Sequence, residues 1–282
     1  DGDAIAALNA AADGKIGLLI LVGSDPLNDC PDTELARRAI AGARRIISVD
    51  THPSESTQLA DVVLAAAAYG EKSGTTTNLE GRVTTLAQQV TASGTARPDW
   101  MIAVELATSI GDRSFGADHP LGNVATVDDV TDAIAATAPL FPGVTRAALA
   151  ASIDGVMSIQ PAAALPGIKV EVAGRNSYDY RLVVSRKLYD RAVNTAMSPS
   201  IAKLAPGAGA HVHPLDLDGI GVDAGTDVKL ISAKATAVLP VVANHNVPRG
   251  VVWAPFNQSG AGSIEDIIDA AAATTDVRIE RI

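Results

Sequence analysis

The chain has 282 residues and a mass of 28.8 kDa, with 51 alanines but only three Phe, two Trp and four Tyr, so its core must be close-packed aliphatic. That length allows one or two domains. A net charge of −10 with a pI near 4.9 argues against nucleic acid as a partner, because phosphate binding needs clustered Lys and Arg.

The first part alternates helix and strand. Asp3 caps a helix through Ala12, with Gly14 as its stop signal. Ile16 to Val22 is a continuous apolar run that suits a strand buried on both faces of a parallel sheet. The turn Gly23-Ser24-Asp25-Pro26 follows, then a helix capped by Asp32 that ends near Gly42. Arg45 to Val49 is the next strand and closes at Asp50; a small helix leads to a third strand at Asp61-Val62-Val63-Leu64. Three such steps predict an open, doubly wound sheet. Tyr69 to Leu86 is polar and rich in Gly and Thr, a loop with a short extended segment. Pro98 opens a helix to about Ile110. Helices are expected at Val127–Ala138 and Thr145–Ser152, and a linker at Gln160 to Gly167.

From Tyr178 the texture changes to short β-branched strands: Arg181 to Val184, Asp227 to Ile231, Ala237 to Val242 and Val251 to Trp253. A short helix at His213–Gly219 and a turn at Val222–Gly225 lie between them. Ser263 caps a predicted last helix (IEDIIDAAA), and Val277 to Ile282 alternates as a terminal strand. The fold expected is α/β: a partial doubly wound parallel-sheet domain over 1–110, a helical connection and linker over 111–177, and a β-barrel domain over 178–282.

The longest apolar runs, Ile16 to Val22 and Val62 to Ala68, are far shorter than the roughly 20 residues of a membrane span. No basic, apolar leader is evident, so a soluble protein is expected. The single cysteine, Cys30, allows no internal disulfide and no self-contained iron–sulfur cluster, which generally takes four thiolates. The chain opens at Asp1 without methionine, as expected of a processed product or a piece of a longer protein that keeps its chemistry elsewhere.

Glu71-Lys72-Ser73-Gly74-Thr75 and Asn78-Leu79-Glu80-Gly81-Arg82 resemble the EK-x-GT-x-x-N-x-EGR segment of the molybdopterin oxidoreductase superfamily. They follow the strand Ala60-Asp61-Val62-Val63-Leu64-Ala65-Ala66, where Ala65 replaces the usual proline. His213-Pro214, Asp216, Gly219-Ile220, Gly225, Val228, Val247-Pro248, Gly250-Val251-Val252 and Pro255-Phe256 resemble that superfamily's C-terminal double-psi barrel. Within it, the alanine-rich run before the Glu71 motif and the segment ARPDWMIAVELA look most like the G-type subunits of bacterial proton-pumping NADH:quinone oxidoreductases. There the resemblance implies a scaffold role for this C-terminal region. Iron–sulfur clusters are expected in the parent subunit and none in this chain. The partners implied are other peripheral-arm subunits, on the cytoplasmic face of the plasma membrane. The alternative is the cofactor-binding tail of an active molybdenum or tungsten oxidoreductase, such as a formate dehydrogenase, holding molybdopterin guanine dinucleotide.

The resemblance also marks a candidate or vestigial pterin-dinucleotide pocket at Gly23, Ser24, Asp25, Asp50, Glu71, Asn78 and Arg82. Each residue has a plainer reading. Gly23 to Pro26 is equally a βα turn. Asp50, at a strand's C-terminal end where open sheets bind ligands, either holds a ribose or guanine edge or caps its own turn. Glu71, Asn78, Glu80 and Arg82 either line the pocket or form a partly buried ion pair that braces the loop. His211 and His213 lack a third ligand of metal-site spacing. No GxGxxG, Walker or Gly-x-Ser-x-Gly motif occurs, so no catalytic residue and no metal site is expected, nor any activity of this chain alone with NADH. The barrel's cofactor-facing positions are expected to be small and neutral.

Overall fold

The computed structural model describes residues 3–110, 124–159, 174–175, 179–260, 263–270 and 272–282; the expected linker at Gln160 to Gly167 lies outside them, as do residues 111–123 of the expected connection. In chain order the elements are α1 (Ala4–Ala12), β1 (Leu19–Val22), α2 (Pro26–Asp29), α3 (Thr33–Gly42), β2 (Ile46–Asp50), α4 (Glu55–Gln58) and β3 (Val62–Ala65). Next come β4 (Gly74–Thr77), β5 (Arg82–Leu86), α5 (Asp99–Ile110), α6 (Val127–Thr137), α7 (Arg146–Ala151) and β6 (Val156–Met157). The C-terminal part holds β7 (Tyr180–Ser185), α8 (Val193–Ala196), β8 (Ala210–Val212), α9 (Pro214–Ile220), β9 (Asp227–Ile231), β10 (Thr236–Ala243), β11 (Val251–Pro255) and β12 (Thr275–Arg281). One three-stranded sheet has the order β1-β2-β3, a second has β4-β5-β6, and the last six strands close a barrel. None of the described helices is long and apolar enough to cross a membrane.

Two compact units result: residues 1–47, 52–61 and 169–282 form the first, residues 48–51 and 62–168 the second. In the first unit, alanine sets the helix packing. Ala11, Ala36 and Ala39 are fully buried beside Leu8, Cys30 and Leu35, and a Cβ on Gly42 would collide with the Ala11 carbonyl. Small side chains let α1 and α3 approach closely, and dispersion at that short range replaces the area that large side chains would bury. Asp3 caps α1 through the Ala6 amide at 2.8 Å and Asp32 caps α3 through Leu35 at 2.9 Å, as the sequence indicates.

The barrel order is β10-β8-β11-β7-β12-β9. β7/β11 and β8/β10 are its parallel pairs, and the other contacts are antiparallel. It is the expected double-psi barrel. Alternation along β9 and β10 points Val228, Leu230, Ala237, Leu239 and Val241 inward, with Val212, Val252, Ile267 and Val277 completing the core. Pro240 is tolerated within β10 because it stands where the strand leaves β9 (residues 236–240) and joins β8 (241–243).

Several expectations change. The first strand, expected to be buried on both faces, buries one: Leu19 and Leu21 are buried while Ile20 and Val22 are exposed. The three-residue strand β8 has no counterpart in the sequence reading. The last helix is only a 3₁₀ turn at Glu265–Ile267, after which Ile268 is extended. Ile264 and Ile267 are drawn into the barrel core, and the Glu265 carboxylate is held by the Asn257 amide at 2.5 Å and the Ser263 hydroxyl at 2.7 Å. Those tertiary contacts outweigh local helix propensity.

In the second unit β4 and β5 form a hairpin, with Thr76 beside Thr84, and β6 pairs with β5. Val83, Val144 and Leu149 form a small core under it. Gly155 (φ +81°) passes so close to Val83 that a Cβ would strike its carbonyl.

Candidate functional site

Gly23 adopts φ +54°, a left-handed conformation that favours glycine, and turns the chain out of β1. Ser24 is exposed, whereas Asp25 is buried, 6% exposed. Its carboxylate accepts from the Ser56 amide at 3.2 Å, the Ser56 hydroxyl at 2.5 Å and the Asn28 amide group at 2.6 Å. Ser54 and Thr57 form a reciprocal capping box that sets Ser56 in α4. The turn's one carboxylate is therefore spent inside the fold, tying α2 to α4.

Loops after β7 and β11 meet the same elements within the first unit. Arg186 donates to Asp29 at 3.0 Å and to Asp190 at 2.8 Å, with its guanidinium 5.6 Å from the Phe256 ring centroid. Arg191 reaches Asn28 at 3.3 Å and Glu55 at 3.4 Å. Asp266 takes Thr33 at 2.8 Å and Arg37 at 3.0 Å. Asn257 is 1% exposed and sits at φ +54°. Its amide is held by Glu265, its carbonyl accepts from the Arg191 amide at 2.8 Å, and its side-chain nitrogen has no partner among the described residues. Charged residues flank this end of the barrel, and each is engaged within the chain: Arg186 by Asp29 and Asp190, Arg191 by Asn28 and Glu55, Glu265 by Asn257 and Ser263. The pairs Arg186-Lys187 and Asp190-Arg191 were the visible signal; their partners lie too far away in sequence to be read.

Asp50 and the Glu71–Arg82 residues belong to the second unit. The Asp50 carboxylate accepts from the Thr51 amide at 2.7 Å, the geometry of a turn cap. Glu71 closes its own 3₁₀ turn by accepting from the Ala68 amide at 2.9 Å, and Lys72 pairs with Asp99 at the start of α5. Asn78 builds the β4–β5 turn: its side-chain oxygen accepts from the Glu80 and Arg82 amides, each at 2.9 Å, and Gly81 supplies φ +82°. The N-x-EGR residues are thereby a hairpin turn that brings Asn78 and Arg82 together, while the Glu71 carboxylate is bound to the Ala68 amide.

Arg82 lacks the partly buried partner expected for it. Its Nε lies 3.7 Å from Glu80, which is 70% exposed, and it also donates to the Asp154 carbonyl at 3.3 Å. Solvent screening leaves such pairs little net energy. Arg82→Ala should therefore shift stability by only ~0–1 kcal/mol, read as the urea midpoint; a larger loss would mean that the Asp154 contact carries the turn.

The histidine rings face separate partners. His211 packs edge-on against Trp253 at 4.5 Å, near Asn244 at 3.4 Å, while His213 accepts from the Leu215 amide and meets His245 at 5.8 Å. Among the described residues no group of three or more His, Cys, Asp or Glu is arranged for a metal ion. Burial, then the Lys187 ammonium, lowers the His211 pKa. The unfolded chain consequently binds a proton that the barrel resists, so stability falls as pH drops below the ordinary histidine value of about 6.5. Melting between pH about 7 and about 5 should show a steeper loss for the wild-type chain than for His211→Gln; equal slopes would assign the loss to other groups.

Comparison with known proteins agrees with this architecture. The molybdopterin oxidoreductase model matches residues 1–109, and the molydopterin dinucleotide binding domain model matches residues 183–278. The chain is 27% identical over 272 residues to the alpha subunit of the NADPH-Fe(3+) oxidoreductase of Geobacter sulfurreducens, covering 95% of this chain and 30% of that one. It is 28% identical to the G 2 subunit of the NADH-quinone oxidoreductase of Rhizobium meliloti, covering 90% of this chain and 29% of the relative. Against the alpha subunit of F420-dependent formate dehydrogenase 1 of Methanococcus maripaludis the identity is 25%, covering 88% and 39%. The chain thus spans well under half the length of these relatives. Acetylene hydratase from Pelobacter acetylenicus shares the fold, with a TM-score of 0.70 at 14% identity over 98% of this chain and 46% of that chain.

Proposed function

We propose that this member of the molybdopterin oxidoreductase family is a scaffold portion of a G-type subunit in the peripheral arm of a proton-pumping NADH:quinone oxidoreductase. In this reading residues 1–110 and 178–282 are its two family domains, joined by 111–177. Electrons pass through iron–sulfur clusters in other parts of the parent subunit, and this portion supports assembly with neighbouring subunits on the cytoplasmic face of the plasma membrane.

The observation that carries the reading is the internal use of the groups nearest the Gly23 turn. A pterin dinucleotide would need hydrogen-bonding side chains directed at it. Asp25 is instead saturated by Ser56 and Asn28, and Arg186 and Arg191 are bound to Asp29, Asp190, Asn28 and Glu55. These residues do not fit the cofactor as they stand, so Gly23, Ser24, Asp25, Asp50, Glu71, Asn78 and Arg82 are read as a vestigial pocket with structural duties.

Elemental analysis of carefully purified native material should give molybdenum and tungsten well below one atom per chain, and the chain alone should not oxidise NADH. Stoichiometric molybdenum or tungsten, or an extractable pterin dinucleotide, would overturn the scaffold reading in favour of an active oxidoreductase of the formate dehydrogenase kind.

A further inference from the structure

We propose that one end of the barrel carries a binding site for a phosphate-bearing small molecule, gripped by Arg175, Arg249 and Arg278. β7 and β11 run parallel, with Val251 beside Arg181. Tyr180 at the start of β7 and Gly250 just before β11 therefore lie at the same end. β12 runs antiparallel to β7, with Val277 beside Tyr180, which brings Arg278 there too. The loops that reach α2 and α4 leave from the opposite end of these strands, so this is not the candidate pocket described above.

The three arginines line an open cavity of about 700 Å³ together with Tyr180, Asp216 and Ile279, a size suited to a small ligand. The site is built rather than incidental. Asp216, only 7% exposed, accepts from Arg249 Nε at 3.0 Å and from the Gly250 amide at 2.6 Å. Held through Nε, the Arg249 guanidinium is 68% exposed and keeps its terminal nitrogens for a ligand. Gly250, at φ +75°, makes room for Arg175: a Cβ there would collide with the Arg175 guanidinium, which donates to the Gly250 carbonyl. Arg278 pairs with Glu280 at 2.8 Å, but both are about half exposed, and a solvated pair of that kind exchanges readily for a stronger anion.

Charge and chemistry then select the ligand. Asp179 also lines the cavity, and the Asp216 charge is spent on Arg249 and a backbone amide. Three guanidinium forks against that background suit a doubly or multiply charged phosphate, which accepts bidentate donation from each. Tyr180 and Ile279 offer a surface for an organic body attached to it.

Calorimetric titration of the full chain with inorganic pyrophosphate at low salt is the test. Saturable one-to-one binding is expected, weakened at least tenfold by the double change Arg175→Gln and Arg278→Gln, which leaves the Asp216–Arg249 pair intact. A control with the same charge loss elsewhere, Arg38→Gln with Lys234→Gln, should stay within twofold. Should the double variant fail to fold, Arg278→Gln alone should weaken binding several-fold. The proposal is overturned by absence of saturable binding, by equal weakening in the control, or by citrate binding as tightly as pyrophosphate.

Discussion

Asp25→Ala is expected to cost about 3 kcal/mol of stability, because it strands buried donors that have no other acceptor. The carboxylate lies 6% exposed between α2 and α4 and accepts from Ser56 twice and from Asn28 once. Ser56 is itself fully buried, so water does not take the place of the lost oxygens, and its hydroxyl also accepts from the Leu27 amide at 3.3 Å. Asp25→Asn should cost less, since one side-chain oxygen remains to accept. Urea denaturation of the three proteins measures the order directly. The result bears on function as well. A carboxylate kept for a ligand is unsatisfied without it, and its removal leaves stability unchanged or improved. A neutral or stabilising Asp25→Ala would thus contradict the structural role assigned to this turn and reopen the pocket.

Local signals made much of the fold legible. The caps at Asp3 and Asp32 and the inward-outward alternation of β9 and β10 are short-range patterns that the structure keeps. What was illegible depended on distant partners or on very short segments. β8 has three residues, Ala210-His211-Val212, too few to show a period, and it exists because β10 and β11 flank it. The IEDIIDAAA segment carries a helical apolar spacing, yet the barrel core takes Ile264 and Ile267 and leaves a 3₁₀ turn at Glu265–Ile267 with Ile268 extended. The partners of the candidate-site residues were hidden in the same way. Asn78 and Gly81 were recognisable as motif residues, and their turn-building role is local. Asp25 meets Ser56 across 31 positions and Arg186 meets Asp29 across 157; no spacing rule in a single sequence reports such pairs.

Asp216→Ala should destabilise the barrel by about 2–4 kcal/mol. The residue sits in α9, which His213 caps and Pro214 begins, and which Gly221 ends in the left-handed conformation at φ +72°. That helix holds the carboxylate against the turn before β11, where it takes the Gly250 amide at 2.6 Å and Arg249 at 3.0 Å. The two partners do not suffer equally. Arg249 is 68% exposed and returns to water at little cost, so Arg249→Ala should lose only about 1 kcal/mol, a value near that of an exposed pair. The Gly250 amide is half-buried in a turn set at φ +75°, so losing its acceptor costs more. Asp216→Asn should fall between the two, keeping an oxygen for the amide but losing the charge that holds the guanidinium. Equal losses for Asp216→Ala and Arg249→Ala in chemical denaturation would show that the ion pair, rather than the backbone bond to Gly250, is what secures this end of the barrel.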